Sequence, residues 1–394
     1  MKTLSSDLIL EAVRQWVVLE SPTHDHAAVN RVADHAEALL RDAGATIERI
    51  SGGHQAADIL IGRIAGQKDG PGLLVLGHMD TVHPVGTLSS NLAWRIEGDR
   101  AYGPGIYDMK GGNAIALSAL VHLHANGRRP MLPVTVMFIP DEEIGSPFSR
   151  PYIEDEARSH SIVLVMEPSG EGGKITVGRH GIARYFLKTT GRPAHAGAYH
   201  SEGRSAIREM ARQVLTIEGM TDYQRNITLN VGTISGGTHE NMVPVSSTAC
   251  IYVLVPTAEA EAEVRAKLFG LSSHDPDVKI EVTRGLFRPP YAKTPAIQSL
   301  YDHVVALGKQ IGLSIPGERI AGGGSDGNFT GALGIPTLDG LGVMGDGPHT
   351  HDEHLLISCL VPRTELMVRL FDTLDTEFLP LRPVPPGVRH REFL

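Results

Sequence analysis

Histidine and carboxylate side chains stand in five short clusters of the sequence, none of which contains cysteine. Three clusters directly follow apolar runs: His78-Met79-Asp80, Asp141-Glu142-Glu143 and Glu167-Pro168. The other two are residues 107–112, which include Asp108, and residues 349–353, which begin with His349. Imidazole and carboxylate without thiolate are the ligands of hydrolytic zinc, cobalt or manganese centres. The sequence therefore predicts a hydrolytic metal site.

The charges of these side chains favour two metal ions over one. Two dications carry four positive charges, which one hydroxide and three carboxylates would balance: Asp108, Glu143 and Glu167. His78 and His349 complete the ligand set. A pair of ions about 3.5–4 Å apart needs a bridging anion, and the short side chain of Asp108 is a suitable bridge. We therefore expect two Zn²⁺ ions, although Co²⁺ and Mn²⁺ accept the same ligands.

Two further carboxylates next to the predicted ligands have other expected roles. Asp80 lies two residues after His78, and we expect it to accept the second ring N–H of that histidine and so to fix its tautomer. Glu142 and Glu143 are adjacent, so their side chains diverge and only one of them coordinates easily. We assign Glu142 as the general base that takes a proton from the attacking water and delivers it to the leaving amine.

The elements that must carry these clusters alternate between helix and strand. Apolar runs at residues 73–76, 134–139 and 162–165 are typical of buried strands, and residues 111–126 form an apolar helical pattern. Ligands of an open parallel sheet bind at the carboxyl ends of its strands. The pattern predicts an α/β fold in which a mainly parallel sheet collects the first three clusters at one edge.

A second pattern interrupts this alternation. Residues from about 181 to 284 read as strand, helix, strand, strand, helix, strand, which matches a ferredoxin-like α+β unit. The first pattern resumes after Pro289-Pro290, and a length of 394 residues exceeds what one core usually organises. We predict a catalytic domain over 1–180 and 291–394, with a smaller domain inserted over 181–290. The proline-rich segment beyond Leu379 is predicted to be a loop.

The composition of the chain argues against several classes of binding partner. A net charge of -9 argues against binding to nucleic acid or to an anionic membrane surface, and no run approaches the roughly 18 apolar residues of a membrane span. Cys250 and Cys359 lie far apart and cannot build a disulfide framework or a thiolate zinc site. These features favour a cytoplasmic protein that acts on a small molecule.

The motifs resemble, in the same order, those of the family of zinc aminoacylases and glutamate carboxypeptidases. The similarity covers nearly the whole chain and rests on residues 77–82, 103–112, 141–146, 166–168 and 349–353. It implies one zinc ion on His78 and Glu167, a second on Glu143 and His349, and the bridging and base roles already given to Asp108 and Glu142. It also implies that the inserted domain acts as a lid and mediates homodimerisation.

The same resemblance implies residues that bind substrate. His195 would stabilise the oxyanion, often in the active site of the partner subunit. Asn241 and Arg288 would contact the substrate, and the arginine could hold a carboxylate in a bidentate pair. Many relatives carry Asp-x-Arg where this chain has Tyr252-Val253-Leu254, which weakens the inference that a C-terminal glutamate is released. His83, His351 and His354 are interpreted as pocket walls or solvent-facing residues.

The glycine-rich segment 322–327 permits other interpretations. It fits both G-x-S-x-G, with Ser325 as the nucleophile of a serine hydrolase, and G-x-G-x-x-G, the dinucleotide-binding pattern. Both patterns require a long apolar strand directly before the glycine-rich segment, and this sequence has none there. We expect instead that Gly324 and Ser325 contact the substrate through backbone N–H groups and the hydroxyl.

The leading hypothesis is a glutamate carboxypeptidase-like metallopeptidase, which releases a C-terminal amino acid with a free carboxylate from a peptide or N-acyl amino acid. An N-acyl-amino-acid deacylase would use the same site. A serine hydrolase and a metal-binding scaffold without catalysis remain as hypotheses from other classes. Glu142 is not among the predicted ligands, and a carboxylate beside the metal site that is not a ligand favours an enzyme over a scaffold.

Overall fold

The computed structural model describes residues 3–375. Its helices are α1 (Ser6–Val17), α2 (His26–Asp42), α3 (Gly111–Ala125), α4 (Arg150–Arg158), α5 (Ala206–Glu218), α6 (Ala258–Phe269), α7 (Pro295–Gln310), α8 (Gly327–Ala332) and α9 (Leu360–Thr373). Its strands are β1 (Thr46–Ile50), β2 (Ile59–Ile64), β3 (Leu73–His78), β4 (Arg95–Glu97), β5 (Arg100–Tyr102), β6 (Val134–Ile139), β7 (Ile162–Val165), β8 (Ile175–Arg179), β9 (Gly181–Thr190), β10 (Thr228–Gly236), β11 (Ser246–Val255), β12 (Lys279–Arg288), β13 (Glu318–Ala321), β14 (Thr337–Leu338), β15 (Gly345–Asp346) and β16 (His354–Leu356).

The described residues divide into two compact units. The smaller unit comprises Arg179–Tyr291 and Ala321–Gly324, and the larger unit comprises the other described residues. Within residues 3–375, no helix combines the length and the apolar character needed to cross a membrane. The loop predicted beyond Leu379 lies outside the described residues.

The larger unit contains a mixed six-stranded sheet in the order β1-β2-β6-β3-β7-β14. The pairs β6–β3, β3–β7 and β7–β14 are parallel, whereas β1–β2 and β2–β6 are antiparallel. Every residue of β3, β6 and β7 is buried, as expected for central strands covered on both faces. The α/β class is thus confirmed, but the sheet is mixed, because β2 runs antiparallel to both of its neighbours, β1 and β6.

Strand register brings the first three clusters to one level of this sheet. His78 pairs with Ile139 across β3 and β6, and Leu76 pairs with Val165 across β3 and β7. Because the strands run parallel, Glu167 follows β7 at the height where His78 ends β3. The Glu142–Glu143 pair follows β6 at the same edge. The carboxyl ends therefore lie together, as the sequence pattern predicts.

Helix α3 packs unusually close to this edge of the sheet. A Cβ atom at Gly112 would lie only 2.0 Å from the main-chain oxygen of Met166, so glycine is required there. The side chain of Asn113 donates a hydrogen bond to the main-chain oxygen of His78 at 2.7 Å. The helix is apolar on nearly all sides because it also packs against α1, α2 and α9. Its first turn consequently fixes the segment that carries Asp108.

A small antiparallel sheet, in the order β15-β16-β5-β4, positions the remaining clusters. The loop that joins β15 to β16 carries His349, and β5 leads into the segment that carries Asp108. His354 at the start of β16 pairs with Tyr102 at the end of β5. In an antiparallel pair the start of one strand neighbours the end of the other, so these two segments meet.

The smaller unit has a four-stranded antiparallel sheet in the order β10-β11-β9-β12. Its elements follow one another as strand, helix, strand, strand, helix, strand, as the sequence pattern predicts. Alternate residues of β9 and β11 are buried, and α5 and α6 contact the sheet. Their apolar residues form a core belonging to this unit, which includes Tyr185, Met210, Ile251 and Leu268.

Candidate metal centre

The five predicted ligands all belong to the larger unit. His78 ends β3 and Glu167 lies two residues after β7, whereas Glu143 lies in a short helical turn after β6. Asp108 lies in an irregular turn before α3, where its φ of -115° and ψ of 94° are not helical. His349 lies in the loop after β15 with a left-handed φ of 63°. Strand ends and irregular turns thus carry the site, and helix α3 packs beside it.

The Asp108 carboxylate lies between the two histidines. Its Oδ1 atom is 3.2 Å from Nε2 of His78, and its Oδ2 atom is 3.3 Å from Nε2 of His349. Each carboxylate oxygen therefore faces a different imidazole. This arrangement suits a carboxylate that bridges two cations, because each oxygen has its own set of neighbours.

One further carboxylate accompanies each histidine. Glu143 Oε2 is 3.2 Å from Nε2 of His349, and Glu167 Oε1 is 3.9 Å from Nε2 of His78. Donor atoms of His78, Asp108 and Glu143 lie within 4.8 Å of one another, as do those of His78, Glu142 and Glu167. The structure brings all five side chains into one cluster, with Glu142 beside them.

Burial and crowding set the charge state of this cluster. Burial, and then the nearby Asp108, raises the pKa of Glu167 well above its usual value, and burial likewise raises the pKa of Glu143. Hydrogen bonds with Asp108 and Glu143 raise the pKa of His349 to about 10. Burial opposes a charged His78, but its contacts with Asp108 and the other carboxylates outweigh burial and raise its pKa well above the usual value. The cluster therefore favours positive charge in its midst.

The donor set fits a divalent metal. Glu143 Oε1 is buried and has no hydrogen-bond partner among residues 3–375, and an unsatisfied buried acceptor costs about 1–3 kcal/mol. A cation would satisfy this oxygen and would also compensate the crowded carboxylates. Nitrogen and oxygen donors without sulfur suit zinc, cobalt or manganese.

The family of the chain follows from its sequence. Residues 74–373 match the profile of Peptidase family M20/M25/M40. The chain belongs to this family. It is therefore a metal-dependent hydrolase that acts on peptide or amide bonds.

Individual M20 proteins resemble the chain over most of its length. Carboxypeptidase G2 of Pseudomonas sp. (strain RS-16) is 34% identical over 371 residues, which cover 92% of this chain and 88% of that protein. The crystal structure of the M20 family metallo-carboxypeptidase Sso-CP2 from Sulfolobus solfataricus superposes with a TM-score of 0.74 at 17% identity, covering 93% and 99% of the two chains. Bacillus subtilis YXEP, a dinuclear metal binding peptidase from the M20 family, gives a TM-score of 0.67 at 14% identity and 94% and 99% coverage. These structures share the M20 fold.

Asp80 occupies a different position in this M20 site from the one expected. The ring Nδ1 of His78 lies 2.9 Å from the main-chain oxygen of Asp80, whereas the Asp80 carboxylate is 3.5 Å away. That carboxylate instead accepts the backbone N–H groups of Glu142 and Glu143, each at 3.1 Å. The reason is that the first N–H groups of a helical turn have no partner within the turn and need an external acceptor. Asp80 therefore orients the turn that carries the predicted base and a predicted ligand.

Thr23 completes this arrangement, and sequence reasoning missed it. Its hydroxyl donates to Asp80 Oδ2 at 2.7 Å, and the side chain is buried. Thr23 lies in the connection between α1 and α2, 57 residues before Asp80, so no local pattern indicates the contact.

We predict that Thr23→Val lowers kcat between about two- and tenfold with little change in KM. Valine has the same shape but lacks the hydroxyl, and loss of one hydrogen bond of about 0.5–1.5 kcal/mol would loosen the turn. Steady-state kinetics and the melting temperature of both proteins would measure the effect. Thr23→Ser, which keeps the donor, serves as the control. Equal kcat values for Thr23→Val and the unaltered enzyme would contradict the role assigned to this contact.

The predicted substrate-binding residues lie mainly in the smaller unit. His195 is exposed, and its Nδ1 accepts the N–H groups of Gly197 and Ala198. Asn241 is also exposed, and its main-chain oxygen accepts the N–H of Ala196, so the segments that carry these two predicted residues lie side by side.

Arg288 and Gly324 form a second group in the smaller unit. Arg288 is buried at the end of β12. A Cβ atom at Gly324 would lie 2.7 Å from Cδ of Arg288, so glycine allows the loop to approach this arginine.

Ser325 is not available for the roles predicted for its side chain. It is completely buried in the larger unit. Its hydroxyl donates to Asp339 Oδ2 at 2.5 Å and accepts the N–H of Gly327 at 3.0 Å, while its own N–H donates to Asn328. The hydroxyl partner is thus a carboxylate and not a histidine base. This burial argues against both a serine nucleophile and contact of the hydroxyl with substrate.

Proposed function

We propose that the chain is a dinuclear zinc metallocarboxypeptidase that releases a C-terminal amino acid with a free carboxylate. The observation that carries this proposal is the Asp108 carboxylate, each oxygen of which faces a different histidine. Identity of 34% to carboxypeptidase G2 over 92% of the chain supports the carboxypeptidase assignment. The description of the Bacillus subtilis neighbour as a dinuclear metal binding peptidase supports two ions.

The ligands divide into two sets with one shared member. His78 and Glu167 would hold one ion, Glu143 and His349 would hold the other, and Asp108 would bridge them. Zn²⁺ is our proposal, and Co²⁺ or Mn²⁺ would suit the same donors. When bound, the ions polarise the scissile carbonyl and lower the pKa of the attacking water toward about 7.

Glu142 is the proposed general base. Its carboxylate lies within 4.8 Å of donor atoms of His78 and Glu167, and its backbone N–H is held by Asp80. A carboxylate at this position takes a proton from the attacking water and then delivers it to the nitrogen of the leaving amine. The Asp80 contact keeps the base in place during both transfers.

We also propose which residues bind the substrate and what each domain does. We assign stabilisation of the oxyanion to His195, and substrate contacts to Asn241, Arg288 and the backbone of Gly324. Residues 181–290 would form an inserted ferredoxin-like domain that acts as a lid and mediates homodimerisation. Residues 1–180 and 291–394 would form the catalytic domain.

A deacylase that acts on N-acyl amino acids is the second candidate. It would use the same metal ligands and the same base, and would differ only in the part of the substrate that is recognised. The sequence Tyr252-Val253-Leu254, where the family resemblance leads us to expect Asp-x-Arg, weakens the inference that a C-terminal glutamate is released and so keeps this candidate open.

A panel of substrates separates these candidates. The panel comprises dipeptides, N-acyl-glutamate, N-acyl-aspartate and N-acyl-arginine, and we expect hydrolysis among them. For a carboxypeptidase, kcat/KM should vary mainly with the C-terminal residue. Variation mainly with the acyl group would indicate the deacylase. Bound metal is to be quantified in the same preparation.

Chelation tests the reaction class independently of the substrate. We expect a chelator to abolish activity, Zn²⁺, Co²⁺ or Mn²⁺ to restore it, and Ser325→Ala to retain metal dependence. Activity that survives chelation but is lost in Ser325→Ala would favour the serine hydrolase. Two bound ions without hydrolysis of any amide would favour the scaffold.

A further inference from the structure

A buried carboxylate, Glu353, lies four residues after His349 and immediately before β16. Only 1% of its surface is exposed. Its Oε1 atom accepts the backbone N–H groups of Tyr107 at 2.9 Å and Asp108 at 3.0 Å. Its Oε2 atom accepts the backbone N–H of Gly105 at 2.9 Å. One side chain therefore holds three backbone donors of the segment that carries the proposed bridging ligand.

This segment needs an external anchor because its backbone is irregular. Gly105 has a left-handed φ of 71°, and Asp108 and Met109 have non-helical backbone angles. A backbone N–H group that donates to a charged acceptor contributes about 1.5–3 kcal/mol. Three such bonds converge on Glu353. This carboxylate therefore determines the position of the Asp108 backbone more than regular helical hydrogen bonds do.

His83 is the fourth donor to Glu353. Its Nε2 atom lies 2.7 Å from Glu353 Oε2, and the imidazole is buried. Of the two interpretations of His83, as a pocket wall or as a solvent-facing residue, the second is therefore wrong. His83 lies five residues after His78, in the segment that follows β3.

Glu353 thus joins three segments, each of which carries a different predicted ligand. The segment after β3 carries His78, the segment before α3 carries Asp108, and the loop before β16 carries His349. The pairing of β16 with β5 brings the last two together, and Glu353 ties both to His83. These segments meet at the metal cluster, where errors of a few tenths of an ångström change metal–ligand distances.

We propose that Glu353, held by His83, is a positioning residue for the metal centre, which fixes Asp108 relative to His78 and His349 and so sets the affinity for the metal pair. This inference rests on the proposed function, because it concerns the same ligands. Glu353 would touch neither substrate nor metal. Its effect passes through the backbone of residues 105–108.

The test is the affinity of the full chain for Zn²⁺, measured by competition with a chromophoric chelator after the metal has been stripped. Glu353→Gln has the same shape but brings an NH₂ group against backbone N–H donors. We expect Zn²⁺ to bind about 10- to 100-fold more weakly, as for other residues that orient metal ligands. At limiting Zn²⁺ kcat should fall, and excess Zn²⁺ should restore part of it. Glu353→Asp should not restore the affinity, because its shorter side chain cannot reach all donors.

Glu209 in the smaller unit provides a matched control. It is also 1% exposed, and it accepts the backbone N–H groups of His274 and Asp275 and the imidazole of His274. Glu209→Gln makes the same chemical change to a similar network. We expect it to lower the melting temperature of the stripped protein without changing Zn²⁺ affinity.

The outcomes separate this inference from the proposed function. An unaltered chain that binds two Zn²⁺ ions, combined with undiminished affinity in Glu353→Gln, would overturn the inference alone. Equal weakening in Glu209→Gln would also overturn it, because the effect would then be general. An unaltered chain that binds fewer than two ions would contradict the proposed function itself. Should Glu353→Gln fail to fold, His83→Ala carries the test, with about 3- to 10-fold weaker Zn²⁺ binding expected from the loss of one donor.

Discussion

Replacing Asp108 by asparagine should reduce the bound divalent ions from two to at most one per chain and lower kcat/KM by at least about 1,000-fold. The two carboxylate oxygens face His78 Nε2 at 3.2 Å and His349 Nε2 at 3.3 Å. An amide of the same shape offers one oxygen and one NH₂ group, so one side of the bridge would repel a cation. Metal ions contribute several kcal/mol to stabilisation of the transition state, and about 1.36 kcal/mol corresponds to tenfold in rate.

Metal analysis of the purified variant and steady-state kinetics measure both parts of this prediction. Asp58→Asn is the matched control, because it makes the same chemical change away from the predicted ligands. Asp58 forms an ion pair with Arg49 beside the β1–β2 pair. We expect that control to keep two ions and nearly full activity. An Asp108→Asn variant with two tightly bound ions and normal turnover would eliminate the bridge.

Replacing Glu142 by glutamine or alanine should leave both ions bound and lower kcat by at least about 100-fold, which is the usual contribution of a general base. The reason is that Glu142 is assigned to proton transfer, whereas its neighbour Glu143 is assigned to coordination. Glutamine preserves the shape of the side chain, and the backbone N–H would still donate to Asp80. Metal content and kcat are again the measurements.

Glu143→Gln is the contrasting variant, because the two residues are adjacent and the substitutions are identical. We expect Glu143→Gln to lose metal and Glu142→Gln to keep it. Donor atoms of Glu142, His78 and Glu167 lie within 4.8 Å of one another, so coordination by Glu142 is a clear alternative outcome. Loss of one ion from Glu142→Gln, with activity restored by excess metal, would make Glu142 a ligand and leave the base unassigned.

The parts of the fold that follow from local patterns were predictable from the sequence. The central strands β3, β6 and β7 are continuous apolar runs, so their positions and their burial agree with the pattern. Parallel pairing then brings residues that follow the strands to one edge, which is why His78 and Glu167 could be placed together. The smaller unit was predictable for a similar reason, since β9 and β11 alternate buried residues with more exposed ones along most of their length.

Contacts between distant segments were not predictable in the same way. Asp80 lies beside His78 in sequence, yet its carboxylate serves the Glu142–Glu143 turn, because the direction of the side chain depends on how the strand end bends. Glu353 is recognisable in the motif but not as an anchor for residues 105–108, from which it is separated by about 245 residues. Ser325 matches a nucleophile pattern, but its burial and the hydrogen bond of its hydroxyl to Asp339 depend on distant segments that the pattern does not describe.

The most direct test of the central claim is a crystal structure of the Zn²⁺-loaded chain with anomalous data recorded at the zinc edge. We predict two anomalous peaks about 3.5–4 Å apart, with one oxygen of Asp108 about 2.0–2.2 Å from each. His78 and Glu167 should coordinate one ion, and Glu143 and His349 the other. A single peak, or two peaks that do not share Asp108, would contradict the account.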